Sequence, residues 1–246
     1  MPKIAIHERG EGAPVVLLHG EGLDASIWDD VALPGQCLAV DLRGHGASEV
    51  TPPPYAMGAL VRDVEAALDD RGVTGAVVVG HALGGMIAQA LAVKRLDLVR
   101  GLVLTGSAAK RGTAAQWQAE AEAVALRGME AVAAERAALW TPRRGDPEPL
   151  RARLRACDPL GYRGACTAIA GTDLLAATAT LRLPTLVLAG TEDRAVPPDL
   201  ARETADLIPG AEVGLLRGAG HVASLDAPDA LSTRITAFLV RIGHSI

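Results

Sequence analysis

The chain has 246 residues, enough to bury a substantial core without a disulfide or metal staple. Its 24 basic and 29 acidic residues leave a formal charge of −5 with both signs interspersed, which argues against a nucleic-acid partner and against a basic membrane-surface helix. No apolar run approaches the roughly 18 residues of a membrane span, and Met1–His7 reads as a strand, not a leader peptide; a cytoplasmic protein is expected.

Short apolar runs alternate with helical periods along the chain. Val15–Leu18, Cys37–Val40, Val77–Val79, Gly101–Leu104, Thr185–Ala189 and Glu212–Leu216 are near-continuous runs, the pattern of strands covered on both faces. Cys37 lies in one of them as a buried thiol. With Cys157 and Cys166 it makes neither a disulfide frame nor a zinc site. Helical spacing occupies Met57–Asp70, Gly84–Val93, Leu200–Ile208 and Pro228–Ile242, the last with Leu231, Ile235, Phe238, Leu239 and Ile242 on one stripe. The alternation predicts an α/β fold, a mostly parallel central sheet with helices on both faces. From about Thr113 to Ala177 the rhythm breaks into short helical patterns interrupted at Gly128, at Pro142–Pro149 and at Asp158–Gly161. An all-helical cap over 113–180 is therefore expected, between core parts 1–112 and 181–246. Such an insertion sits over the carboxyl ends of the strands, where open sheets bind ligands.

Four pieces at strand ends carry chemistry. Val77–Met86 reads as strand, sharp turn and helix, with Gly80 and Gly84 at the spacing of the nucleophile elbow G-x-S-x-G; the middle residue is Ala82. The others are "LLHGEG" (Leu17–Gly22), "AGTEDRAVP" (Ala189–Pro197) and "GAGH" (Gly218–His221). Elbow, acid and histidine follow in the chain order of the α/β-hydrolase triad. Asp193 takes the place of the acid, with Glu192 its neighbouring competitor, and His221 that of the base. The backbone N–H groups of Leu83 and Glu21 would form the oxyanion hole. A carboxylate in that hole would oppose an oxyanion, so the Glu21 side chain is expected to point away. His7, His19, His45 and His81 are read as structural and His244 as a frayed tail. Arg43, Arg143, Arg144 and Arg163 are candidate cations for an anionic substrate, and Trp28, Trp117 and Trp140 candidate apolar walls; Trp140, Arg43 and Trp28 are the predicted pocket residues. No metal cluster or dinucleotide fingerprint is present, and the mechanism needs no cofactor.

Over its whole length the sequence resembles the α/β-hydrolase superfamily, through "LLHGEGLDASIWDD", "DLRGHGAS", "VVGHALGGMIAQ", "LVLAGTEDRAVPP" and "GAGHVASLDAPDAL". Within it the likeness is to 3-oxoadipate enol-lactonases, carried by "LWTP" (Leu139–Pro142) and by the cap stretch "ACDPLGYRGACTAIAGTDL" (Ala156–Leu174). The resemblance implies a small-molecule ester or carboxylated lactone opened by serine attack and hydrolysis of an acyl-enzyme. It breaks at Ala82, where that serine should stand. The retained glycines, Asp193, His221 and His-Gly loop favour a single replaced serine, hence a disabled hydrolase. The alternative is a natural non-hydrolytic protein of this fold, binding a ligand or using His221 as a base without a covalent step.

Overall fold

The six apolar runs and an N-terminal edge strand, which lies at Ile6–Arg9 and not at the expected Met1–His7, form one seven-stranded sheet in a computed structural model that describes Met1–His244. The strands are β1 (Ile6–Arg9), β2 (Pro14–Leu18), β3 (Gln36–Val40), β4 (Ala76–His81), β5 (Val99–Thr105), β6 (Thr185–Gly190) and β7 (Glu212–Leu216). Their spatial order is β1-β3-β2-β4-β5-β6-β7. Every pairing is parallel except that of β1 with β3. The helices are α1 (Met57–Asp69), α2 (Leu83–Lys94), α3 (Ala114–Trp140), α4 (Glu148–Ala156), α5 (Pro159–Ala170), α6 (Leu175–Thr178), α7 (Pro198–Asp206), α8 (Ala223–Asp226) and α9 (Pro228–Arg241).

Side chains leave a strand on alternate faces, so one apolar run feeds two cores. Val16, Leu18, Val78, Leu102 and Leu104 pack on one face with α1, α2 and α7. Val15, Leu17, Val77, Val79 and Val103 pack on the other with Trp28 and with Leu231, Ile235 and Phe238 of α9. β7 departs from the expectation of two covered faces: Gly214 and Leu216 are buried, but Val213 and Leu215 are exposed. It is the edge strand, paired only with β6, and the helices packed against it, α7 and α9, leave Val213 and Leu215 partly uncovered.

Between β5 and β6 the described chain is helical. Thr113 opens α3 with a reciprocal capping box to Gln116. Gly128, at φ 74° and ψ 172°, breaks α3 into two helices where the sequence marked an interruption. Ala121, Val124, Met129 and Val132 of α3 meet Tyr162 and Cys166 of α5 in a small core of their own. α5 is pressed onto the loop after β3. A Cβ on Gly161 would lie 1.8 Å from the Gly44 carbonyl oxygen, so only glycine permits that approach. α6 behaves differently and packs against α2, with Thr178 Oγ1 donating to Gln89 Oε1 at 2.8 Å.

Candidate active site

The elbow forms where β4 passes into α2. Ala82 sits between them at φ 50°, ψ −113°, the one non-glycine residue with positive φ among the described residues. That conformation costs an L-residue on the order of 1–3 kcal/mol and persists because the surroundings over-determine it. Gly80 and Gly84 make the turn possible: a Cβ on Gly84 would lie 2.3 Å from the Leu18 carbonyl oxygen, and one on Gly80 2.5 Å from that of Gly84. The turn leaves the Leu83 N–H at the start of α2 with no helical partner.

The loops after β6 and β7 bring an acid to a histidine. Asp193 Oδ2 lies 2.9 Å from His221 Nδ1, and both side chains are fully buried. Asp193 Oδ1 accepts from the N–H groups of Ala195 and Val196, each at 2.8 Å. Burial alone would raise the Asp193 pKa, but His221 and these donors outweigh it and hold the carboxyl below its ordinary range. Glu192, the competitor, points elsewhere and accepts from the Arg143 N–H at 2.9 Å. The His221 N–H donates to the Trp140 carbonyl at 2.8 Å, and the Trp140 ring stands 5.0 Å from the imidazole. With Nδ1–H given to Asp193, His221 presents Nε2 as a buried lone pair with no partner.

On the other side of the site the Glu21 side chain does the opposite of what was expected. It points into the hole. Glu21 Oε2 accepts from the Leu83 N–H at 3.3 Å, and the residue's own N–H also stabilises the ionised carboxyl. Arg111 holds it in place with two parallel bonds of 2.9 Å, and both side chains are buried. Burial opposes ionisation, but the Arg111 charge and its hydrogen bonds override it and bring the Glu21 pKa to about 2. The cause of the reversal is a set of partners distant in sequence. Two orphan backbone donors and a buried guanidinium together attract a carboxylate more strongly than the solvent it leaves.

The remaining candidates separate clearly. His19 joins Gly20 O to the Leu42 N–H, and His45 joins Arg43 O to the Gly22 N–H; both brace the loops beside the elbow. His81 donates to Thr105 O at 3.2 Å, and burial with the nearby His221 lowers its pKa to about 3. His7 pairs with Asp41 at 2.9 Å. His244 is no frayed tail residue: it is buried and bonded to the Pro14 carbonyl at 3.1 Å. Arg43 is not at the site but is clamped by Asp63 at 2.6 and 2.7 Å. Trp28 is a fully buried core residue in the same apolar cluster as Trp140, not a pocket wall. Trp140 and Trp117 line a cavity of about 520 Å³ beside α3. Arg143 and Arg144 line a separate polar depression with Asp193 and Arg194.

Sequence reasoning missed Arg111. "KRG" at a strand end looks like a solvated pair. The available signal was Glu21 itself, because an acid in a buried glycine-rich loop requires a counterion somewhere. Among the described residues no helix is long and apolar enough to cross a membrane.

The sequence profile of the alpha/beta hydrolase family matches residues 15–234. The chain belongs to the alpha/beta hydrolase family. Among characterised relatives, it is 29% identical over 210 residues to 3-oxoadipate enol-lactonase 2 of Acinetobacter baylyi, covering 83% of this chain and 78% of the relative. Among solved structures, it is similar to a hydrolase from Pseudomonas aeruginosa, with TM-score 0.91, 32% identity, and 97% and 94% of the two chains covered. It is similar also to the enol-lactonase of Burkholderia xenovorans, with TM-score 0.92, 28% identity and 97% of each chain covered. Its sheet order and mostly parallel pairing are thus the alpha/beta hydrolase fold.

Proposed function

We propose that this member of the alpha/beta hydrolase family carries the scaffold of a serine-type hydrolase acting on a small carboxylic ester or lactone, of the 3-oxoadipate enol-lactonase kind, held silent at two points. The helical cap over 113–180 covers the core parts 1–112 and 181–246 in this reading. The observation that carries the silence is the Glu21 carboxylate on the Leu83 N–H, above an Ala82 with no nucleophilic atom. An acyl transfer needs a nucleophile and needs donors for the oxygen that becomes negative. Here the first is missing and the second are occupied by a fixed negative charge. Glu21 and Arg111 compensate one another as a buried pair, a second departure beside Ala82. That weighs against a lone serine replaced to trap a ligand, the explanation the sequence favoured.

A second reading rests on the His221–Asp193 dyad, whose free Nε2 retains the capacity of a base. In that reading His221 takes a proton from a bound ligand or water without a covalent step.

Turnover of a panel containing an aryl ester, several lactones and the enol-lactone separates these readings. The unaltered chain and Ala82→Ser are expected to show no serine-type turnover, whereas Ala82→Ser/Glu21→Ala gains it and loses it again with His221→Ala. The companion Ala82→Ser/Glu21→Ala/Arg111→Met removes the unpaired guanidinium, in case the double variant folds poorly. Full activity from Ala82→Ser alone would restore the simple disabled-serine account. Turnover by the unaltered chain that disappears with His221→Ala would favour the base reading.

A further inference from the structure

The central sheet has two edges, and they carry different residues. β1 ends it on one side with His7, Glu8 and Arg9 in a four-residue strand, and charged side chains of this kind keep an edge from pairing with another chain. β7 ends it on the other side with Glu212-Val213-Gly214-Leu215-Leu216, whose middle three residues carry neither a charge nor a proline. Val213 and Leu215 are 41% and 39% exposed. They are also the residues whose main chain faces outward. The Leu216 carbonyl accepts from the Thr191 N–H, just past β6, so by the two-residue alternation Glu212, Gly214 and Leu216 turn their N–H and C=O groups toward β6. Those of Val213 and Leu215 point away from the sheet and take no partner among the described residues.

We propose that β7 pairs antiparallel with β7 of a second copy of this chain, about a two-fold axis at Gly214. Charge decides both the partner and the direction. Glu212 opens the strand and Arg217 follows its last residue, so the segment is charged only at its two ends and with opposite signs. Antiparallel pairing about Gly214 sets Glu212 against Leu216 of the second copy, one residue from its Arg217, and symmetry repeats the contact. Parallel pairing would oppose like charges at both ends. In the antiparallel register Val213 exchanges both main-chain bonds with Leu215 of the second copy, and Leu215 with its Val213, so every outward group is used. The same two pairs set a valine side chain against a leucine side chain. Gly214 meets Gly214 at the axis, where the strands come closest and a side chain would crowd. An axis at Val213 would need the Ala211 N–H, which already donates to the Ile208 carbonyl at 3.0 Å. Arg241 ties the end of α9 to Glu212 at 2.7 Å, so Val240, 58% exposed, adds apolar surface near the strand. β5 and β6 separate β7 from the elbow strand β4, and the pairing does not depend on the reading of the active site.

The test is sedimentation velocity of the full chain from about 10 to about 500 µM, because five residues a side make a small interface and a reversible dimer. A monomer–dimer equilibrium is expected. Leu215→Lys sets a charge against Val213 of the second copy, twice per dimer, and should raise the dissociation constant roughly thirtyfold. Arg217→Glu should raise it roughly tenfold, and Arg217→Glu/Glu212→Arg should bring most of that back. Arg217 is exposed and lies outside the strand, so its variant tests the pairing even where Leu215→Lys unsettles the edge. A chain that stays monomeric across the whole range overturns the inference. So does a dimer whose dissociation constant is the same in Leu215→Lys and in Arg217→Glu as in the unaltered chain, which would put the contact on another face.

Discussion

The two halves of the site differ in what their side chains offer. On the β6 and β7 side, Asp193 and His221 keep the geometry of an acid–base pair, buried and 2.9 Å apart. On the β2 and β4 side the backbone turns sharply, with a positive φ at Ala82, but the side chains there are a methyl group and a carboxylate. Position 82 carries no hydroxyl, and the Glu21 carboxylate lies on the Leu83 N–H with Arg111 as its counterion. The contrast shows that backbone and chemistry are separable. Gly80, Gly84 and the helix start fix where the Leu83 N–H stands, and the Glu21 side chain decides what it holds.

The sharpest way to test that contrast is to break each half in turn. Arg111→Met strands a buried carboxylate and should cost about 3–5 kcal/mol in urea unfolding, whereas Arg111→Met/Glu21→Leu should come back near the starting stability. Asp193→Asn, which leaves hydrogen bonds to loop N–H groups available, should cost about 1–2 kcal/mol. A small effect of Arg111→Met alone would mean that the pair does not organise the hole.

Acid should strain the same region. His81 and His19 fold with pKa values lowered from 6.5 to about 3 and about 4, both through burial first. Below pH 6.5 the unfolded chain takes up protons that the folded chain refuses, so stability falls as pH drops, by about 1.4 kcal/mol per pH unit for each histidine. Asp226, raised by burial from 3.8 to about 6, binds its proton early in the folded state and offsets part of this loss. Glu21 adds a later loss, as pH falls from its ordinary 4.5 toward about 2. The melting temperature measured from pH 7 to pH 4 should decline, and His81→Asn should flatten the decline. A flat profile in the unaltered chain would contradict the burial of neutral imidazoles.

The smallest effect belongs to the elbow backbone. Ala82→Gly relieves the positive φ but frees the unfolded chain, for a net gain of about 1 kcal/mol. A loss of stability would mean that the Ala82 methyl contributes packing that outweighs its strain.

Much of this was legible in the sequence. Near-continuous apolar runs specify buried parallel strands, and these gave six of the seven strands; the exposure of Val213 and Leu215 on β7 was not legible, because edge position depends on strand order, which a local pattern does not contain. The elbow, Asp193 and His221 were legible because each is fixed by glycines or turn residues close in sequence. The direction of Glu21 was not. It depends on Arg111, 90 residues away, and on a donor at Leu83, 62 residues away. Arg43 was misplaced for the same reason: its partner Asp63 lies on α1, out of sight of the "DLRGHG" motif. Long-range charge pairing, more than secondary structure, is what the sequence left open.

The most direct test of the central claim uses a fluorophosphonate probe, whose phosphonyl oxygen must enter the oxyanion hole as a serine is labelled. Labelling rates are compared for Ala82→Ser and Ala82→Ser/Glu21→Ala, with His221→Ala added to each as the control. If the Glu21 carboxylate holds the hole, Ala82→Ser labels at least roughly a hundredfold more slowly than the double variant, the scale of losing one oxyanion donor. Equal, rapid labelling of both would show that the hole is open to the probe and would contradict the proposal that Glu21 blocks it.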